Sequence, residues 1–169
     1  RYAAATNATS PTMVESDQGY IQLTDARHPL LESEVVPISI AIGEGCSVLL
    51  ITGPNAGGKT VALKTIGLLS LMAQAGLQTP AKEARIGLFD GVYADIGDHQ
   101  SIQHSLSTFG SHIQNMRNIM GRATSRSLIL IDELGISTDP EEGAALAKAL
   151  LGNPDLLVLD EPTNYLDIK

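Results

Sequence analysis

Residues 50–60 read Leu-Ile-Thr-Gly-Pro-Asn-Ala-Gly-Gly-Lys-Thr, an apolar run that ends in a glycine-rich turn and hands over to a helical pattern. Gly53, Gly58, Lys59 and Thr60 meet the spacing G-x-x-x-x-G-K-[ST], with a strand-like run at residues 47–51 before it and a helix expected over residues 61–75 after it. Glycines let the backbone curl until successive N–H groups point at phosphate oxygens, and the following helix turns its positive end toward the same anion. On this reading the stretch is a phosphate-binding loop, with Gly53, Pro54, Asn55, Ala56, Gly57, Gly58, Lys59, Thr60 and Val61 as the nucleotide-binding residues. Lys59 is expected to reach the β- and γ-phosphates, and the Thr60 hydroxyl to ligate Mg²⁺. An ordinary strand-turn-helix is the plainer alternative, disfavoured by the flanks.

Composition sets the outer limits. A chain of 169 residues suits one domain with a real core. With 43% hydrophobic and 18% charged residues it has the balance of a globular α/β protein rather than a disordered one. The net charge of -8 argues against this segment gripping a nucleic-acid backbone itself, since its Lys and Arg are scattered. Cys46 stands alone, so neither an internal disulfide nor a cysteine metal cluster can form, and a reducing cytosol is the expected setting. No apolar run is long enough to span a bilayer and no signal peptide opens the chain, so a soluble cytoplasmic protein without a membrane partner is expected. No Met stands first, which reads as a start within a longer protein.

Residues 1–18 are rich in Ala, Thr, Asn and Ser without periodicity and read as a linker or frayed end. Residues 20–23 alternate as an edge strand would, residues 26–31 read as a turn around Pro29, and residues 38–42 alternate again. His28 in that turn is either a hydrogen-bonded turn residue or a base-stacking or metal-binding one. After the loop, Val61, Leu63, Ile66, Leu68, Leu69, Leu71 and Met72 occupy most of a helix surface, which predicts burial on more than one side, with Gly76 as the C-terminal cap. Two short strands are expected at residues 85–89 and 91–96, separated by the turn signal Asp90-Gly91. A further helix, beginning near Ser105 or Ser107, should bury Phe109, Ile113, Met116 and Met120. His99, His104 and His112 read as solvated or capping residues rather than metal ligands.

The second chemical landmark is residues 127–133, Ser-Leu-Ile-Leu-Ile-Asp-Glu. A continuous apolar run is what a strand buried on both faces looks like, and acids at its carboxyl end fall where ligands bind in open α/β sheets. Asp132 is expected to hold Mg²⁺, and Glu133 to polarise the water that attacks the γ-phosphorus, with Lys59 stabilising the charge that develops.

The phosphate loop, residues 26–31 (Ala-Arg-His-Pro-Leu-Leu), residues 105–109 (Ser-Leu-Ser-Thr-Phe), and residues 132–135 with 138–143 together resemble the ATPase domain of the MutS family. Residues 60–69 and 97–102 resemble its second branch, which is associated with recombination control, an Smr nuclease tail and stalled-ribosome rescue. The resemblance covers residues 19–150 and implies a P-loop NTPase, an α/β fold with a mostly parallel sheet and helices on both faces. It also implies a homodimer in which each ATP lies between the loop of one subunit and Ser107, Thr108 and Phe109 of the other, with DNA or a ribosome engaged by parts beyond these residues. His99 departs from the acid expected in that branch.

Residues 151–169 depart further, replacing the histidine-bearing strand the family implies with a segment that resembles the acidic strand and loop of ABC ATPases. Residues 156–159 are expected to fill the slot of that strand beside the phosphate-loop strand, bringing Asp160 and Glu161 toward the γ-phosphate. Like charges repel there, so nucleotide binding with reduced turnover is expected. On this reading residues 19–169 form one ATPase domain.

Overall fold

The computed structural model describes residues 3, 6–15, 19–31, 35–43, 45, 47–51, 58–96, 105–132 and 157–160, with side chains for all of these except 50, 105–113 and 157–160. Along the chain the elements are β1 (Thr12–Val14), β2 (Ile21–Ala26), β3 (Ile38–Ile42), β4 (Val48–Ile51), α1 (Lys59–Gln74), β5 (Glu83–Gly87), β6 (Gly91–Asp95), α2 (Ser105–Arg122), β7 (Ser127–Ile131) and β8 (Leu157–Asp160).

Among the described residues the strands form two four-stranded sheets rather than one. The first has the order β1-β5-β2-β3, in which β2 runs antiparallel to both β3 and β5 while β1 is parallel to β5. Two expectations are corrected here. The stretch from residue 20 is an interior strand rather than an edge, because β5 covers its second side. Residues 1–18 are not wholly a linker: β1 joins the sheet, and the Thr9 and Thr79 backbones exchange two hydrogen bonds of 2.9 Å. A three-residue strand carries too little periodicity to be seen in sequence.

The second sheet is wholly parallel, with the order β4-β8-β7-β6. The Asp90-Gly91 signal does not make a hairpin, since β5 and β6 lie in different sheets. Instead the turn is tied to the start of β7. The Asp90 N–H donates to the Arg126 carbonyl at 3.2 Å, Ser127 Oγ donates to Asp90 Oδ1 at 2.9 Å, and the Thr124 hydroxyl donates to Asp90 Oδ2. The Gln74 side chain secures the crossing between sheets, accepting from the Phe89 N–H at 2.9 Å and donating to the Phe89 carbonyl at 3.2 Å.

All five residues of β7 are buried, as a strand covered on both faces requires. Alternation sends its side chains to opposite sides. Leu128 and Leu130 join Leu63, Ile66, Leu69 and Ala73 of α1 in a core that also takes in Ile21, Leu23 and Ile86 of the first sheet. Ile129 and Ile131 pack with Met116 and Ile119 of α2. Each helix therefore has its own set of β7 residues. At Gly67 the α1 backbone comes so close to β7 that a Cβ would stand 2.5 Å from Leu130 Cδ1.

Two apolar faces differ from the periodic reading. Leu71 is 49% exposed, and buried polar positions in the body of α1 include Thr65 and Ser70, whose hydroxyls donate to the Val61 and Ile66 carbonyls at 2.7 and 2.8 Å. In α2 the residue buried beside Met116 is Ile119, while Met120 is 39% exposed. The side chains of Phe109 and Ile113 lie outside the described set. The C-terminus of α1 closes as expected around Gly76, whose N–H donates to the Ala73 carbonyl at 3.0 Å while Leu77 N–H reaches the Met72 carbonyl at 2.9 Å.

Candidate functional site

A parallel sheet collects the carboxyl ends of all its strands along one edge, where ligands of open α/β sheets bind. On that edge here stand Ile51 of β4, Asp160 of β8, Asp132 just after β7 and Asp95 of β6, with Ile51 and Asp160 at paired register positions. Gly53, Pro54, Asn55, Ala56 and Gly57 lie outside the described residues.

The structure describes the loop's exit. Gly58 caps α1 with φ 80° and ψ 16°, a left-handed conformation that favours glycine. No side chain caps this helix and no acid stands in its first turn. The helix dipole places positive potential at this start. Lys59, the first helical residue, is only 6% exposed, while Thr60 and Val61 are half-buried. Fixed N–H groups, a lysine and a hydroxyl are thus delivered at one helix start by residues 58–61.

Asp132 is 4% exposed, and its backbone N–H donates to the Asp95 carbonyl at 2.9 Å. Its Oδ1 is buried without a hydrogen-bond partner among the described residues. A carboxylate oxygen taken from water without a compensating donor is costly, and a cation relieves that cost. Among the described residues no group of three His, Cys, Asp or Glu could hold a metal alone. One carboxylate with one hydroxyl, completed by water and phosphate oxygens, is the donor set Mg²⁺ prefers. The residues present therefore fit Mg²⁺ held together with a phosphorylated ligand.

Glu133, Glu161, Cys46, His99 and His104 lie outside the described residues. Ser107, Thr108 and Phe109 are in the first turn of α2, which begins at Ser105, and their side chains, like that of His112, are outside the described set. His28 takes the hydrogen-bonded turn role, its Nδ1 accepting from the Leu30 N–H at 3.3 Å. Burial, with the Lys64 charge as a smaller contribution, holds its pKa below the ordinary value and keeps the ring neutral. The sequence reading missed the link between Asp95 and Asn115, whose Nδ2 donates to Asp95 Oδ1 at 2.8 Å. The available signal was an acid closing a strand next to the acidic strand β7.

A helix start with buried lysine and a buried acid on one carboxyl edge are features of nucleotide-binding α/β proteins. The family description of MutS domain V matches residues 49–154, more than half of the chain, and the chain belongs to the MutS family. It is 57% identical over 137 residues to Endonuclease MutS2 of Halothermothrix orenii, covering 80% of this chain and 17% of that protein. Over 155 residues it is 54% identical to Endonuclease MutS2 of Clostridium botulinum, covering 90% of this chain and 19% of that one. The Halalkalibacterium halodurans protein of the same name is 55% identical over 152 residues. The chain spans less than a fifth of the length of these relatives. Strand β8 lies beyond the residues the family description matches.

Proposed function

We propose that this chain is the ATP-binding and ATP-hydrolysing head of a MutS-family protein, built as a P-loop NTPase and working in the cytosol. The observation that carries the reading is the placement of Lys59 at an uncapped helix start following β4 and of the unpartnered Asp132 Oδ1 after β7, both at the carboxyl edge of one parallel sheet. In this role Gly53, Pro54, Asn55, Ala56, Gly57, Gly58 and Val61 wrap the phosphates through backbone N–H groups, and Lys59 neutralises the β- and γ-phosphate charge. Thr60 and Asp132 hold Mg²⁺, which when bound supplies further neutralisation of the phosphate oxygens. Glu133 orients and polarises the attacking water. Ser107, Thr108 and Phe109 serve the partner subunit's nucleotide in a homodimer. The similarity to proteins named Endonuclease MutS2 supports an assembly acting on DNA, with a stalled ribosome as the other candidate, through parts outside this chain.

A second reading concerns turnover. Strand β8 occupies the place between β4 and β7 and ends in Asp160, paired in register with Ile51. An acid at this position, in a tail that resembles ABC ATPases, adds negative charge near the γ-phosphate and lowers the rate while sparing binding. ATP binding and hydrolysis by Lys59→Ala, Glu133→Ala and Glu161→Ala chains test both readings. Loss of binding in the first and of turnover in the second is expected. A Glu133→Ala chain that still hydrolyses ATP while Glu161→Ala does not would reverse the assignment of the acidic strand.

A further inference from the structure

Asp95 closes β6, and two of its hydrogen bonds lead in opposite directions. Its backbone carbonyl accepts the Asp132 N–H at 2.9 Å, and its carboxylate Oδ1 accepts Asn115 Nδ2–H at 2.8 Å. The first bond fixes the backbone at the acid assigned to Mg²⁺. The second fixes α2 at a point eight residues from Ser107, about 12 Å along the helix axis. The helix is otherwise seated by Met116 and Ile119 against Ile129 and Ile131, apolar contacts that set its distance from the sheet but impose little direction. Near its far end, Tyr93 Oη reaches the Arg122 carbonyl only at 3.4 Å. Among the described contacts of α2, the Asp95–Asn115 bond is the short, directional one, and it is charge-assisted.

We propose that Asp95 and Asn115 are positioning residues that couple the nucleotide site of one subunit to the helix it offers to its partner. The proposal rests on the composite-dimer reading above. Movement of the Asp132 backbone when Mg²⁺ and nucleotide are held is passed through the Asp95 carbonyl to the strand end, and through its carboxylate to α2. The 107–109 segment at the start of that helix is thereby set for the partner's γ-phosphate. Neither residue touches the nucleotide.

The test follows the mass of the full chain in solution with Mg²⁺ and a non-hydrolysable ATP analogue, alongside analogue affinity measured on dilute, unpaired chain. Asn115→Asp places two carboxylates against each other. It should weaken nucleotide-driven dimerisation about tenfold, the scale of one charge-assisted hydrogen bond, and leave unpaired affinity within about twofold. Asn115→Ala, which removes the donor without adding charge, should show the same split at smaller amplitude. The exchange Asp95→Asn with Asn115→Asp restores a donor facing an acceptor and should recover dimerisation to within about threefold. Wild-type dimerisation in both Asn115 variants overturns the coupling and leaves the composite site standing. An equal loss of affinity and dimerisation, unrecovered by the exchange, reduces the pair to a structural contact and also overturns it. Wild-type chain that binds the analogue but stays monomeric overturns the composite dimer and the coupling together.

Discussion

Replacing Gly67 with alanine tests how closely α1 and β7 approach. In an open helix interior this substitution stabilises by about 1 kcal/mol, because glycine carries the larger conformational entropy cost. Here the new Cβ would stand 2.5 Å from Leu130 Cδ1, and Leu130 is only 2% exposed. Ordinary carbon contacts lie at about 3.5–4.0 Å, so the leucine or the helix must give by about 1 Å. Overpacking of this kind costs about 1–3 kcal/mol, which leaves Gly67→Ala about 0–2 kcal/mol less stable than the parent. Leu130→Ala alone should cost about 2–5 kcal/mol through lost burial and a cavity. In the double variant the new methyl enters the space the leucine leaves, so the two effects should combine to about 1–3 kcal/mol less than their sum. Urea unfolding of the four chains reads these values from the midpoints, provided the slopes agree. A Gly67→Ala chain about 1 kcal/mol more stable than the parent, with additive behaviour in the double variant, would falsify the close approach.

Gln74→Ala removes both hydrogen bonds to the Phe89 backbone at the crossing between the sheets and should cost about 0.5–1.5 kcal/mol, since Gln74 is exposed and water replaces part of the loss. A fall in melting temperature of a few degrees checks it. Hydrogen bonds from Thr124 and then Ser127 hold the Asp90 carboxyl below its ordinary value. The folded chain therefore takes up this proton less readily than the unfolded one. The resulting stabilisation is complete above the unfolded value near pH 4 (about, by the peptide reference) and is lost as the pH falls through the lower folded value. Asp90→Asn should flatten the urea midpoint against pH below about 4 and leave its shape above unchanged. An unaltered acid limb would refute the assignment.

The second sheet was legible because its strands carry unambiguous signals. Residues 128–131 are apolar throughout, and such a run is what a strand buried on both faces looks like. The slot foreseen for residues 156–159 is where β8 lies, adjacent to β4, because chain order and sheet connectivity leave few other places for it. The first sheet was harder to read. Its order β1-β5-β2-β3 depends on β5 returning to pair with β2 over a long separation, and local periodicity says nothing about distant partners. The same blindness hid where the Asp90-Gly91 turn leads, since the two strands it separates lie in different sheets and its carboxylate reaches Ser127. At the candidate site, motif spacing singled out Lys59, Thr60 and Asp132, and the structure describes Lys59 and Asp132 as buried. Asp95 and Asn115 were not, since an acid closing a strand does not by itself point to a partner on a separate helix.

The place of β8 has a consequence for when the fold can form. Among the described residues β4 pairs with β8, and Val48 finds its register partner Leu157 roughly a hundred residues later in the chain. As the polypeptide leaves the ribosome, the first sheet and the β6–β7 pair have all their strands well before β8 emerges. Until then β4 has no ladder to join and β7 presents an unpaired apolar edge, the kind of surface that invites association with other chains. The strand that leads into the Lys59 helix is thus anchored late, so the arrival of residues 157–160 should gate escape from aggregation.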